Sequence, residues 1–215
     1  SGKFDEDRYQ KVMSFCQMTE IKLAQGAKQT GGKLSGAKVT PAIAYYRNVE
    51  AYKDVFSPNR FPYANSIEEL FDFVGRLQKL SGKPVGIKIV ISDQENIEPY
   101  AKEIRKRVDA GIDAYPDYIT LDAGSGGSAT APLEMMERVG LNVRDSVYLV
   151  DKVLRDYGIR DKVRIVASGK ILTPDDIIII MSLGADFLQI ARGFMMSAGC
   201  IRARYCSGTT GRQCP

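Results

Sequence analysis

Three of the chain's four cysteines, Cys200, Cys206 and Cys214, fall in its final stretch, CIRARYCSGTTGRQCP. Thiolates gathered in this way are ligands or redox groups rather than structural disulfides wherever the surroundings are reducing. Their spacing admits an iron–sulfur cluster and equally admits free thiols. Zinc is less well served, because three cysteines without a histidine leave the usual tetrahedral set incomplete. Cys16 stands at helical spacing among apolar neighbours and is expected to be a buried thiol. Histidine is absent altogether, which removes the commonest general base and the Ser/His and Cys/His nucleophile systems. Chemistry must therefore come from Lys, Arg, carboxylates, Cys or a cofactor. Two further stretches, ASGK (Ala167 to Lys170) and ARG (Ala191 to Gly193), combine small residues with a cation. They read either as loops whose backbone N–H groups approach a phosphate or as plain tight turns.

The elements that would carry these residues alternate along the chain. EIKLAQGA reads as a strand opening into a loop. SIEELFDFVGRLQKLSG reads as a helix, with Ser66 as N-cap and Glu69 closing a capping box. PVGIKIVIS is a buried strand, NIEPYAKEIRKRVDAGI an amphipathic helix, and DYITLDAG a further strand. SVYLVDKVLRDYG then predicts a helix and KVRIVASG a strand. TPDDIIIIMSLGA predicts a helix capped by Thr173 with Pro174 at its first position, and DFLQIARG a last strand. This is a parallel α/β protein. The absence of G-x-G-x-x-G in a first βα unit counts against a Rossmann fold. Phosphate loops after the last two strands favour a (β/α)8 barrel.

At 215 residues the chain supports one sizeable core and at most two domains. Its 44% hydrophobic and 26% charged content is that of an ordinary globular protein and excludes a disordered one. The net charge of +4 is spread among 26 acidic residues, with no basic run of the kind nucleic acid requires. No apolar segment approaches bilayer length, and SGKFDEDRYQ is charged rather than signal-like. The expectation is a cytoplasmic protein with neither a nucleic-acid nor a membrane partner.

The ordered runs IKLAQGAK, GGKLSGAKVTP, SIEEL, IKIV, GGSATAPLE, ASGKILTPDDIIIIMSLGAD and ARGFMMSAGCIRARYC resemble the FMN-binding synthase domain of glutamate synthases and their stand-alone relatives, over nearly the whole chain. The resemblance implies a flavin-carrying (β/α)8 TIM barrel of the FMN-dependent oxidoreductase type. It implies reductive amination of 2-oxoglutarate to L-glutamate through 2-iminoglutarate, with electrons reaching the flavin from an iron–sulfur cluster.

Carried over by matching residues, the resemblance implies that Lys88 contacts the flavin ring, where a cation favours the anionic reduced form. A lysine snorkelling at a strand end is the plainer reading of the same residue. Gly126 and Gly127 match a glycine loop lying against the cofactor. Ser168, Gly169 and Lys170, with Ala191, Arg192 and Gly193, match the phosphate loops, where Arg192 could pair bidentately with phosphate. Gln25 and Lys28 match a loop that faces the substrate, Lys28 being the partner of a 2-oxoglutarate carboxylate. Cys200, Cys206 and Cys214 match the ligands of a 3Fe–4S cluster, with seven residues between the last two where the family usually has four. The loop QGAKQTGG is one residue shorter than the family's usual QGAKPGEGG and lacks its acidic residue. SPNRFPYANSIEEL offers Arg60, Phe61 and Pro62 where the family often has His.

Residues 1–199 are thus expected to form a partial FMN-binding barrel, and residues 200–215 a cysteine-containing cluster loop. A complete barrel takes roughly 250 residues, so the resemblance implies one lacking its first βα units, which a longer chain or a partner chain would complete. The expected function is an FMN-dependent, glutamate synthase-like oxidoreductase acting on CH–NH2 donors, served by an electron-donor protein or subunit. The altered loop leaves open a related barrel acting on another 2-oxo acid or amine, and the missing units leave open a non-catalytic flavoprotein subunit or fragment.

Overall fold

A computed structural model of the protein describes residues 3–27, 32–58, 60–126, 131 and 134–203. The elements run α1 (Glu6–Met13), β1 (Thr19–Lys22), β2 (Lys33–Leu34), α2 (Pro41–Arg47), β3 (Val55–Phe56), α3 (Ile67–Ser81), β4 (Val85–Ile89) and α4 (Gln94–Asp109). They continue with β5 (Tyr118–Asp122), α5 (Val143–Asp156), β6 (Arg164–Ser168), α6 (Pro174–Ser182), β7 (Phe187–Gln189), α7 (Arg192–Ser197) and α8 (Cys200–Ala203). Strands β1, β4, β5, β6 and β7 form one parallel sheet in that spatial order, while β2 and β3 pair antiparallel in a separate ribbon.

The two faces of the parallel sheet differ in chemistry, and the difference decides the architecture. Successive side chains on a strand alternate between faces. Val85, Ile87 and Ile89 of β4, Ile119 and Leu121 of β5, and Ile165 and Ala167 of β6 join Phe71 and Val74 of α3, Ile97 and Ile104 of α4, and Val150 and Leu154 of α5 in one buried core. Helices α3, α4, α5 and α6 contact one another in chain order along that face. Of the intervening positions, those toward the C-terminal ends of the strands, Lys88, Thr120, Asp122 and Ser168, are polar, while Val166 and Phe187 on the same face are apolar. A doubly wound sheet is buried on both faces and reads as apolar throughout. Helices packed in chain order along one face only, with polar side chains on the other toward the strands' C-terminal ends, make the wall of a (β/α)8 barrel.

Each connection is held by local chemistry. Asp5, Thr40, Ser66, Asp93, Asn142 and Thr173 cap their helices, each side chain accepting the backbone N–H three residues on. Glu69 differs from expectation: its carboxylate accepts the N–H of Asn65 at 2.7 Å rather than that of Ser66, so the reciprocal box at α3 is displaced by one residue. The full capping box forms at α6 instead, between Thr173 and Asp176. Asp176 is driven down to about 2, first by the Leu172 N–H and then by Arg144 and the Thr173 N–H. Cys16 also departs from expectation, being half-buried in the link between α1 and β1 rather than on a helix. Helices α1 and α2 and the β2–β3 ribbon lie in segments where periodicity gave no signal.

At the N-terminal ends of the strands, Arg160 gathers Asp151 at 2.6 Å, Asp186 at 2.9 Å and the carbonyl of Gly184 at 2.7 Å, and Asp117 accepts the Val85 N–H at 2.7 Å. This end is tied shut by structural ion pairs and a carboxylate cap on β4. The residues singled out in the sequence lie toward the other end.

Candidate active site at the C-terminal ends of the strands

Parallel pairing places Lys22, Lys88 and Thr120 side by side, with Asp122 beside Ser168 and Gln189 one step further along. The Nζ of Lys88 lies 3.5 Å from Oδ2 of Asp122, with side chains 18% and 8% exposed. The same Oδ2 accepts the N–H of Gly26 at 2.9 Å. Gly26 stands in the loop leaving β1, where Gln25 accepts a hydrogen bond from Lys22 Nζ at 2.9 Å. Deeper in, Thr120 donates to Glu20, and the Tyr118 hydroxyl donates to the carbonyl of Thr19 at 2.7 Å. Burial, and then the nearby Glu20, push the Tyr118 phenol upward, so it remains a neutral donor.

Small residues crowd the mouth above this cluster. A methyl group at Gly26 would collide with the carbonyls of Ala123 and Asp122, and one at Gly124 with the Gly140 carbonyl. Gly169 adopts φ +128°, and a Cβ there would stand 2.7 Å from that of Ala123. Three loops, leaving β1, β5 and β6, therefore meet backbone to backbone around Ala123 and Gly124. Glycine is required at these positions so that the loops can pack on one another, and the packing seats Gly26 against Asp122, the partner of Lys88. The donor set fits a flavin: Lys88 offers a cation at the C-terminal end of β4, and the backbone of residues 168–170 stands at the same end of the sheet.

The two loops expected at a phosphate also come together. Gly193 of α7 packs beside the β6–α6 loop, its Cβ position 3.6 Å from the Ile171 carbonyl. Ser168 ends β6, Gly169 and Lys170 follow with positive φ, and Ala191 precedes α7, with Arg192 and Gly193 its first residues. Within the set the roles differ. Lys170 Nζ is paired with Glu137, so its charge is already partnered. Arg192 makes no ion pair among the described residues. The start of α6 is closed by its own Asp176, whereas the backbone of residues 168–170 and the side chain of Arg192 are not engaged in this way.

Gly126 is half-exposed beside Asp122, its Cβ position 3.3 Å from Oδ1. Cys200 is half-buried at the first position of α8. Lys28, Gly127, Cys206 and Cys214 lie outside the described residues, and so does any convergence of the three cysteines. Among the described residues no three His, Cys, Asp or Glu side chains are placed to hold a metal ion. Sequence reasoning missed Asp122, Glu20 and Glu137. Asp122 had a signal: a carboxylate at the end of the otherwise apolar strand DYITLDAG must find a partner if it is buried.

Residues 1–215 match the family model described as a conserved region in glutamate synthase. The chain is 41% identical over 217 residues to the glutamate synthase large subunit-like protein YerD of Bacillus subtilis, covering 100% of this chain and 40% of that protein. It is 35% identical over 190 residues to an archaeal-type glutamate synthase (NADPH) of Thermotoga maritima, covering 87% of this chain and 36% of that protein. It is 32% identical over 217 residues to the glutamate synthase (NADPH) large chain of Azospirillum brasilense, covering 100% and 13%. The chain thus spans 40% or less of the length of these relatives. Among solved structures, a flavocytochrome b2 variant with sulfite bound superposes with a TM-score of 0.52 at 12% identity, over 91% of this chain and 40% of that one. A second, with pyruvate bound, gives 0.50 at 13%, over 91% and 41%. At such identity the likeness concerns the fold alone, and it agrees with the barrel wall described above.

Proposed function

The chain belongs to the glutamate synthase family, and from that premise we propose that it is the flavin-binding part of an FMN-dependent oxidoreductase that converts 2-oxoglutarate and ammonia to L-glutamate through 2-iminoglutarate. The observation that carries this reading is Lys88, a half-buried cation at the C-terminal end of β4, beside loops that pack on one another through Gly26, Gly124 and Gly169. FMN bound there would supply hydride to the substrate imine.

The chain's own residues divide the remaining work. Lys88 supplies a positive charge on strand β4 that would favour the anionic reduced form of the ring. Ser168, Gly169, Lys170, Ala191, Arg192 and Gly193, with Gly126 and Gly127, hold the phosphate and the ring edge. Gln25 and Lys28, on the loop after β1, orient the 2-oxoglutarate carboxylates, so the carbon to be reduced faces the ring. Cys200, Cys206 and Cys214 are proposed to hold an iron–sulfur cluster that receives electrons from a donor protein or subunit. Residues 1–199 would then act as the barrel part and residues 200–215 as the cluster segment, in a cytoplasmic protein whose remaining barrel units come from further chain or from a partner. Among the described residues no helix is long and apolar enough to cross a membrane.

The QGAKQTGG loop favours a second reading in which the same site takes a related 2-oxo acid. Steady-state assay of the holoprotein with ammonia, an artificial electron donor and a panel of 2-oxo acids tests both. Glutamate formed from 2-oxoglutarate supports the first reading. Turnover only with another 2-oxo acid supports the second, and no turnover with any of them contradicts both.

A further inference from the structure

Asp122 is more deeply buried than the lysine it pairs with, and no step of the proposed reaction uses it. A buried ion pair contributes little net stability, because desolvating both charges offsets their attraction, and apolar replacements of similar volume are often neutral or stabilising. Stability alone therefore does not explain a carboxylate at this point. Its contacts give another reason. One oxygen, Oδ2, reaches both Lys88 on β4 and the backbone N–H of Gly26 on the loop after β1. The other, Oδ1, lies beside Gly126. The segments expected to touch the ring, the substrate and the glycine loop thus converge on one side chain.

We propose that Asp122 is a positioning residue, setting through Lys88 the charge presented to the flavin and through Gly26 the seat of the Gln25 loop. The proposal rests on the flavin reading above. With Asp122 ionised, the Lys88 cation is partly neutralised, and its pull on the reduced flavin is tempered. The two roles separate chemically. Asp122→Asn keeps an oxygen to accept the Gly26 N–H but removes the charge, whereas Asp122→Ala removes both, and Asp122→Glu restores the charge.

The test uses the holoprotein and three readouts besides turnover: the flavin midpoint potential, the dissociation constant of 2-oxoglutarate from its flavin difference spectrum, and hydrogen exchange of the peptide containing Gly26. In Asp122→Asn the midpoint potential is expected to rise, reduced flavin being held about tenfold more tightly relative to oxidised flavin, as for a unit charge uncovered at this range in a partly screened site. 2-Oxoglutarate affinity and exchange at Gly26 should stay within about twofold of the unmodified protein. Asp122→Ala should raise the potential, weaken 2-oxoglutarate binding by about tenfold and speed exchange at Gly26, the loop having lost its acceptor. Asp122→Glu should return the potential toward its original value. A folded Asp122→Asn protein whose potential does not move overturns the proposal while leaving the flavin reading intact. If the unmodified holoprotein carries no flavin, both fall together. Should Asp122→Ala fail to fold, the Asn and Glu variants decide the matter.

Discussion

Lys88→Met is expected to lower turnover of the holoprotein by about 10²–10³-fold, the usual cost of removing one preorganised electrostatic group from a reacting centre. The residue lies on the strand register shared with Lys22 and Thr120. Of the two lysines in that row, Lys22 is exposed and engaged with Gln25, so Lys88 is the cation held at depth. The substitution has a second consequence. It leaves Asp122 as a buried carboxylate with only the Gly26 N–H, and orphaning one member of a buried pair costs about 3–5 kcal/mol. Loss of activity could then follow from loss of fold, and a double variant separates the two. Lys88→Met with Asp122→Asn should regain most of the denaturant stability, because no unpaired charge remains. Its turnover should stay low. A double variant that recovers both would show that Lys88 serves the fold alone.

Gly26→Ala is expected to disrupt the site by geometry rather than charge. The added methyl would overlap the backbone carbonyls of Ala123 and Asp122. Backbone cannot yield as a flexible side chain would, so the loop after β1 must lift away, breaking the 2.9 Å hydrogen bond to Asp122. Overpacking of this kind costs about 1–3 kcal/mol. Affinity for 2-oxoglutarate should fall at least about tenfold, because a misplaced loop forfeits the orientation it provides, while the secondary structure seen by circular dichroism stays unchanged. Gly82→Ala is the comparison: no atom lies within 4 Å of its Cβ position, so it perturbs only a left-handed helix end, and substrate affinity should not change. Equal losses in the two variants would contradict the role given to the loop.

The order of the elements was legible in the sequence because each strand carries its own signal. Runs such as GIKIV and YITLD are β-branched and bounded by Gly or Pro, and Ser66 and Thr173 announce helices at their first turns. Lys88 was singled out by the resemblance, and the strand agrees with it, since a cation between the buried Ile87 and Ile89 faces away from the core. Short elements escaped. A two-residue strand such as Lys33–Leu34 has no period to detect, and α2 depends on Thr40 and Pro41 rather than on an apolar stripe. Asp122 and Glu20 escaped for a different reason. Their meaning lies in cross-strand register, which places Glu20 against Thr120 and Asp122 near Lys88, residues 34 or more apart in sequence. Spacing likewise could not show that Lys170 is already paired with Glu137, nor that Asp176 closes the start of α6.

The central claim, that the half-buried Lys88 and the loops at the C-terminal ends of the strands form a flavin site, is tested most directly by the visible spectrum of the purified protein, with the cofactor released by acid, identified by mass, and the spectrum repeated during titration with 2-oxoglutarate. The account predicts oxidised-flavin absorbance, release of FMN and a saturable spectral change that Lys88→Met alters in amplitude and position. A protein that stays colourless after incubation with FMN would contradict it.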